Sequence, residues 1–335
     1  MRARPFLAAS AAFALAGGLA ACGSNRSSSA TRAVASPTRT APAPAPKPQL
    51  RAVNVTSIGS LPAPLAAPAF APVAGGRAVL IGGLDASGSS TAAISVLAGG
   101  AIFSHSALPV AQHDAQAATL DGRVYVFGGG NVSELSHILR YDPGSGAVST
   151  VGSLPTAASD VAVTATGNTA YIVGGYDGAR WLDTILAYRP GGQPRVVGRL
   201  PIGLRYSSVA AVGGRVIIAG GTTSNGVTDA IFSFDPASAR LVRLGHLPDG
   251  LAHAAAAALD GQVLVVGGRR GTGGDHTASI LAIDPRSGAV RQVGQLPQPL
   301  SDSAVVADGG RVTVIGGETA AGPQRGLLQL SPRLG

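Results

Sequence analysis

The sequence predicts an all-β fold, a six-bladed β-propeller of four-stranded blades closed by an N-terminal strand in the last blade. Three observations predict it. Double glycines occur at Gly82-Gly83, Gly128-Gly129, Gly174-Gly175, Gly220-Gly221, Gly267-Gly268 and Gly316-Gly317, spaced 46, 46, 46, 47 and 49 residues apart. Leu-Pro pairs track them at Leu61-Pro62, Leu108-Pro109, Leu154-Pro155, Leu200-Pro201, Leu247-Pro248 and Leu296-Pro297, each proline 19 or 20 residues ahead of its glycine pair. Each copy holds four short strand patterns, and a repeat of about 46 residues with that content is a propeller blade.

The chain opens differently. Arg2 and Arg4 precede an uncharged apolar run that ends in small residues, so 1–21 reads as an export signal. Leu19-Ala20-Ala21-Cys22-Gly23 resembles a bacterial lipobox, and Cys22 is the only cysteine. The resemblance implies a diacylglycerol on the Cys22 sulfur and an exported protein, lipid-anchored on the extracytoplasmic side of a bacterial membrane. With one cysteine no disulfide can form within the chain. Residues 22–50, rich in Pro, Ala and Ser with the cations Arg26, Arg32, Arg39 and Lys47, read as a disordered spacer.

Residues 51–335 read as the propeller. In the second copy, 115–120 is small and apolar, Asp121-Gly122 is a hairpin signal, 123–127 is a β-branched and aromatic strand, and 138–141 and 147–151 complete the set. The turn Asp142-Pro143-Gly144-Ser145-Gly146 recurs at Asp235 and Asp284, where the aspartates are expected to bond the turn backbone. The last copy has no fourth strand. Residues 51–58, followed by Gly59-Ser60-Leu61-Pro62, match the missing strand, so the two ends should meet in the sixth blade and remove an open sheet edge.

Of 25 Lys and Arg, six fall in the first 50 residues, which hold no acid; the remaining 19 face all 17 Asp and Glu. That near balance argues against nucleic acid as a partner.

The double glycine, followed by an aromatic in the third strand at Tyr141, Tyr188 and Phe234, resembles the Kelch repeat, with Ile283 in the fifth copy. A Kelch blade usually carries Trp seven residues after that aromatic; here Val148, Leu241 and Val290 stand there, with Val196 near it, so these blades diverge. The resemblance implies the six-bladed fold. Copper-radical oxidases of this form need a cysteine cross-linked to tyrosine, and Cys22 belongs to the leader. Sialic-acid mutarotases share the form and the exported location, and by analogy would use acids and arginines at the channel mouth.

Strand direction places the loops after Leu-Pro and after Gly-Gly on one face, around the channel mouth. Five residues after each proline stand Ala67, Asp114, Asp160, Tyr206, His253 and Asp302, with His113 and Arg205 one residue earlier. Such a funnel suits a polar or cationic ligand, or a hydrated ion. The loops after the glycines add Tyr176, Arg180 and the sole Trp181, and Arg269 and Arg270 in the fifth copy; Trp beside Arg is hot-spot composition. The expected function is a binding or protein-interaction module for a protein, peptide or glycan, acting as a monomer without cofactor or metal. The alternative is an exported carbohydrate-active enzyme such as a sugar mutarotase or epimerase.

Overall fold

The strongest strand signals are the second strands, such as Arg123–Phe127, Thr169–Val173 and Gln262–Val266. They are apolar at consecutive positions, as a strand buried on both faces requires. The computed structural model, which describes residues 50–99, 101–271 and 274–334, shows why both faces are buried. Cys22, the leader and the linker before Leu50 lie outside the described residues.

The propeller contains six four-stranded antiparallel sheets. The second blade is typical: Gln116–Leu120 pairs with Arg123–Phe127, that with His137–Tyr141, and that with Val148–Ser153. The six innermost strands pack side by side, and Ala304–Asp308 of the last blade packs on Ala69–Val73 of the first, so the ring is closed. Small residues at Ala117, Ala162, Ala210 and Ala257 let these strands crowd the axis. In the first blade the Leu108-Pro109 pair lies inside the fourth strand, Ala101–Gln112, instead of after it.

The sixth sheet draws on both ends of the chain. Leu50–Ser60 pairs with Gly326–Leu334, in the register Val53↔Pro332 and Val55↔Leu330. The N-terminal segment is therefore the outer strand of the last blade, as its pattern predicts. Antiparallel pairing puts Ser60 beside the mouth and Leu50 at the opposite end.

The core is divided into six buried clusters, one between each pair of successive blades. Val124 and Val126 face the first blade, while Tyr125 and Phe127 face the third. Tyr141, Tyr188, Phe234 and Ile283, at the position of the repeat aromatic, are all buried in these seams. The turn aspartates behave as expected: Asp142 Oδ1 accepts from Gly144 N at 2.8 Å, Asp235 from Ala237 N at 3.0 Å and Asp284 from Arg286 N at 2.8 Å.

The double glycines join neighbouring blades. Gly174 has φ 61° and Gly175 φ 112°, a region that favours glycine. A Cβ on Gly174 would lie 2.0 Å from the carbonyl oxygen of Leu204 in the following blade. Gly175 N donates to that same oxygen at 2.8 Å. Equivalent collisions occur at the first glycine of every pair, so the repeat is conformational and steric at once.

Candidate functional site

The residues five places after each Leu-Pro form a ring. Asp114 N donates to Ala67 O at 3.3 Å, Asp160 N to Asp114 O at 3.0 Å, Tyr206 N to Asp160 O at 3.2 Å and His253 N to Tyr206 O at 3.1 Å. Asp302 N to His253 O at 3.0 Å and Ala67 N to Asp302 O at 2.8 Å complete the circle. All six residues have φ between 48° and 58°. Left-handed backbone is uncommon for residues other than glycine, above all bulky ones. Here it lets each chain turn out of its loop into the innermost strand while bonding sideways. Strain held at six equivalent points by mutual bonds is a feature of sites where side-chain direction matters.

The loops around the ring are stitched together within each blade. Bridges join His113 to Gly130, Ser159 to Tyr176, Arg205 to Thr222 and Ser301 to Glu318. The Leu-Pro loops and the glycine loops thus share one face. Ala67, Asp114, Asp160, Tyr206, His253 and Asp302 line a central cavity of about 460 Å³, whose walls continue with small residues such as Ala117, Ala165 and Ala258.

From the third blade to the sixth the side chains form one continuous chain of contacts. Trp181 packs against Tyr176 with ring centroids 5.9 Å apart, and the Arg205 guanidinium lies over the rings of Tyr176 and Tyr206 at 4.6 and 4.4 Å. Tyr206 stacks on His253 at 3.7 Å. His253 Nδ1 is 2.7 Å from Asp302 Oδ1, and Arg269 Nη2 donates to Asp302 Oδ2 at 2.8 Å and to Glu318 Oε2 at 2.6 Å. Ser301 also donates to Asp302, at 2.6 Å.

On the other side of the ring the charges are less evenly matched. Arg205 Nη2 lies 2.7 Å from Asp160 Oδ2, yet it is aimed at the Tyr206 hydroxyl, 2.6 Å away. Asp160 Oδ2 and Arg205 Nε are buried without an aligned hydrogen-bond partner among the described residues. Burial holds Asp114 well above the usual carboxylate range, reinforced by the charges of Asp160 and Asp302 and by a hydrogen bond to Asp160, against the pull of Arg205. Burial raises Asp160 too, moderated by Arg205 and by bonds from Tyr206 and Asp114. Asp302 is the opposite case. Burial alone would raise it, but the His253 bond and charge, Ser301 and Arg269 outweigh burial and hold it low. Burial likewise pushes the Tyr206 phenol up and the His113 imidazole down. The ring therefore sets two buried carboxyls side by side, both held above the usual carboxylate range and Asp114 the more strongly.

The structure separates the other sequence candidates. Trp181 is not an exposed platform: it is half-buried against Tyr176, and its Nε1 is buried without a partner among the described residues. Arg180 is 81% exposed and pairs with Asp177 at 3.2 Å, while Asp177 Oδ1 also caps its own loop through the Arg180 and Ala179 amides. Arg270 faces Asp249 at 3.6 Å, outside the contact chain. His113 stands behind the ring, 2.8 Å from Ser90 Oγ and 3.7 Å from Asp114. Ser301 is the member that residue type alone does not single out, and the pairing of Arg269 with Glu318 across two blades is visible only in the structure. Ser301 sits at the position equivalent to His113 and Arg205, so the repeat register contained that signal. Among the described residues, no group of three or more His, Cys, Asp or Glu is disposed to hold a metal ion.

Three of the six blades carry the Kelch motif. The family model matches residues 113–155, 157–193 and 250–297, the second, third and fifth blades. These Kelch blades hold His113, Asp114, Asp160, His253 and Arg269, while Arg205, Tyr206, Asp302 and Glu318 lie in blades outside the matches. The solved structure of YjhT shares the fold, with a TM-score of 0.71 over 82% of this chain and 98% of that one, at 19% identity. No curated protein sequence matches this chain.

Proposed function

We propose that this Kelch-like propeller is a binding module that takes a polar ligand, offering hydrogen-bond donors or a positive charge, at the ring of Asp114, Asp160, Tyr206, His253 and Asp302. The observation that carries this reading is the convergence of these five polar side chains on one 460 Å³ cavity, with the buried Asp160 carboxylate held 2.7 Å from Arg205 at its wall. Polar groups gathered in a cavity cost free energy when left unmatched, and a ligand that supplies donors to these carboxyls recovers part of that cost. An amino or hydroxyl group of a glycan, a peptide or a protein partner has the required chemistry. Titration calorimetry with sugars, amino sugars and lysine-bearing peptides tests it. Saturable binding that weakens at least tenfold in Asp160→Asn, with an unchanged circular dichroism spectrum, is expected. Binding that ignores Asp160→Asn, or none across the panel, would overturn the reading.

The same proposal places the protein outside the cytoplasm, held on a bacterial membrane by a diacylglycerol on Cys22. The lipobox-like LAACG supports this. Two acyl chains anchor stably where one binds reversibly. Metabolic labelling with a clickable fatty acid should mark the wild type and not Cys22→Ala.

A second reading, a sugar mutarotase or epimerase, is favoured by one observation: Asp114 and Asp160, neighbouring buried carboxyls both held above the usual carboxylate range, form a candidate acid and base pair. Accelerated interconversion of sugar anomers in exchange NMR, abolished in Asp114→Asn, would select it over simple binding.

A further inference from the structure

The charges of the propeller are sorted by face. Five of the sheets turn twice at the end remote from the mouth, between their first and second strands and between their third and fourth; the sixth turns once and closes there with the two chain ends. The first turn leads into an arginine in four of the six blades, at Arg77, Arg123, Arg215 and Arg311. Around the second turn stand Arg189 and Arg195 in the third blade, Arg240 in the fourth, and Arg286 and Arg291 in the fifth. Arg51 and Arg333 are added where the two chain ends pair, and Arg140 lies beside Tyr141. All of these are exposed except the half-buried Arg291. This face therefore carries twelve arginines, against six aspartates at 121, 142, 235, 260, 284 and 308. The mouth face carries the other seven arginines and eleven acids.

Pairing follows the same division. Six of the seven arginines on the mouth side, all but Arg325, have a carboxylate within 4.0 Å. Among the described residues, only Arg123 of the twelve on the far face has one, Asp142 at 2.9 Å. The far-face aspartates at 142, 235 and 284 are committed to their own turns. A dozen arginines on one face with a single ion pair among them call for a counter-charge from outside.

We propose that this arginine face docks flat against an anionic lipid surface. The cations form two tiers, one around the channel and one near the rim, so they cover a disc. A planar sheet of phosphate headgroups can meet both tiers at once. Nucleic acid is usually tracked by a cationic groove with stacking aromatics, a different arrangement. The chain also enters the propeller on this face, at Leu50. A lipid on Cys22, as proposed above, would add a tether, but the arginine contact does not depend on it. Docking by this face leaves the mouth pointing away from the membrane. Each arginine near such a surface contributes about fivefold to partitioning, and salt screens that contribution within about 10 Å.

The test uses the full chain carrying Cys22→Ala, so that lipidation plays no part, in co-sedimentation with vesicles of phosphatidylglycerol and phosphatidylcholine. Retention on these vesicles at low salt is expected, with release at high salt and none on phosphatidylcholine alone. Arg215→Gln/Arg240→Gln should reduce retention more than about tenfold, whereas Arg199→Gln/Arg243→Gln, on the mouth side, should not. Every variant keeps the cations before Leu50, so a difference between the doubles belongs to the propeller. No retention, equal effects of the two doubles, or tighter binding to duplex DNA at the same salt would overturn the proposal. Failure of the fatty-acid label would leave it standing.

Discussion

The amide of Ala67 donates to the carbonyl oxygen of Asp302 at 2.8 Å, and that bond joins the first blade to the last. Two residues more than two hundred positions apart in sequence thereby become neighbours in a ring that aims five polar side chains at one cavity. A second closure lies at the rim, where Leu50–Ser60 pairs with Gly326–Leu334. The ring and the outer strand hold the same seam from opposite sides of the sixth blade.

That double closure makes the N-terminal strand a keystone for stability. Leu50 is fully buried in the cluster between the fifth and sixth blades. Leu50→Ala should cost about 2–5 kcal/mol in urea unfolding, and deletion of residues 50–60 should abolish a single cooperative melt. A deletion variant that melts like the wild type would show that the strand is dispensable.

The glycine pairs allow a comparison that isolates collision from backbone strain. Gly174 and Gly213 both have positive φ, 61° and 57°, but only at Gly174 would a Cβ meet backbone, 2.0 Å from Leu204 O; at Gly213 nothing lies within 4 Å. Gly213→Ala should cost about 1–2 kcal/mol from the left-handed conformation alone. Gly174→Ala should cost clearly more, or prevent folding, because the next blade must shift. Equal losses in denaturant titration would refute the steric account.

Two aspartates in the ring should respond to pH in opposite directions. Asp114 is held above its unfolded value of 3.8, so its contribution is complete below that value and is lost as pH rises through the native one. Asn mimics the protonated acid. Asp114→Asn should match the wild type in acid and gain on it towards neutral pH. Asp302 is held below 3.8, so its contribution is present above that value and is lost as pH falls through the native one. Asp302→Asn should therefore lose most at neutral pH and least in acid. Unfolding free energies measured across pH check both signs.

Trp181 is the only tryptophan and packs on Tyr176, which in turn lies under Arg205. Its half-burial predicts emission to the blue of a free indole and partial quenching by acrylamide. A ligand at the ring should shift that emission. Fully exposed behaviour would place the loop elsewhere.

The regularities in the sequence were local demands repeated at a fixed interval, and they carried far. Glycine at positive φ, proline after the fourth strand and the Asp turns are requirements of a few neighbouring residues, so their spacing determined six blades. The matching pattern ahead of Leu61 likewise determined the seam. Strand limits shifted by only one or two residues in the second blade, because alternation weakens at strand ends. The ring positions were also legible, as five places after each proline, though residue type alone could not show that their backbones bond in a circle. Only the tertiary structure decided which side chains meet across blades. It turned Trp181 inward, aimed Arg205 at Tyr206 in preference to Asp160, and joined Arg269 to both Asp302 and Glu318. It also sorted the arginines by face, a division that a near-balanced total charge conceals. These outcomes depend on distances between residues some 46 positions apart and on side-chain direction. Both are set when the ring closes, and neither is encoded in any single repeat.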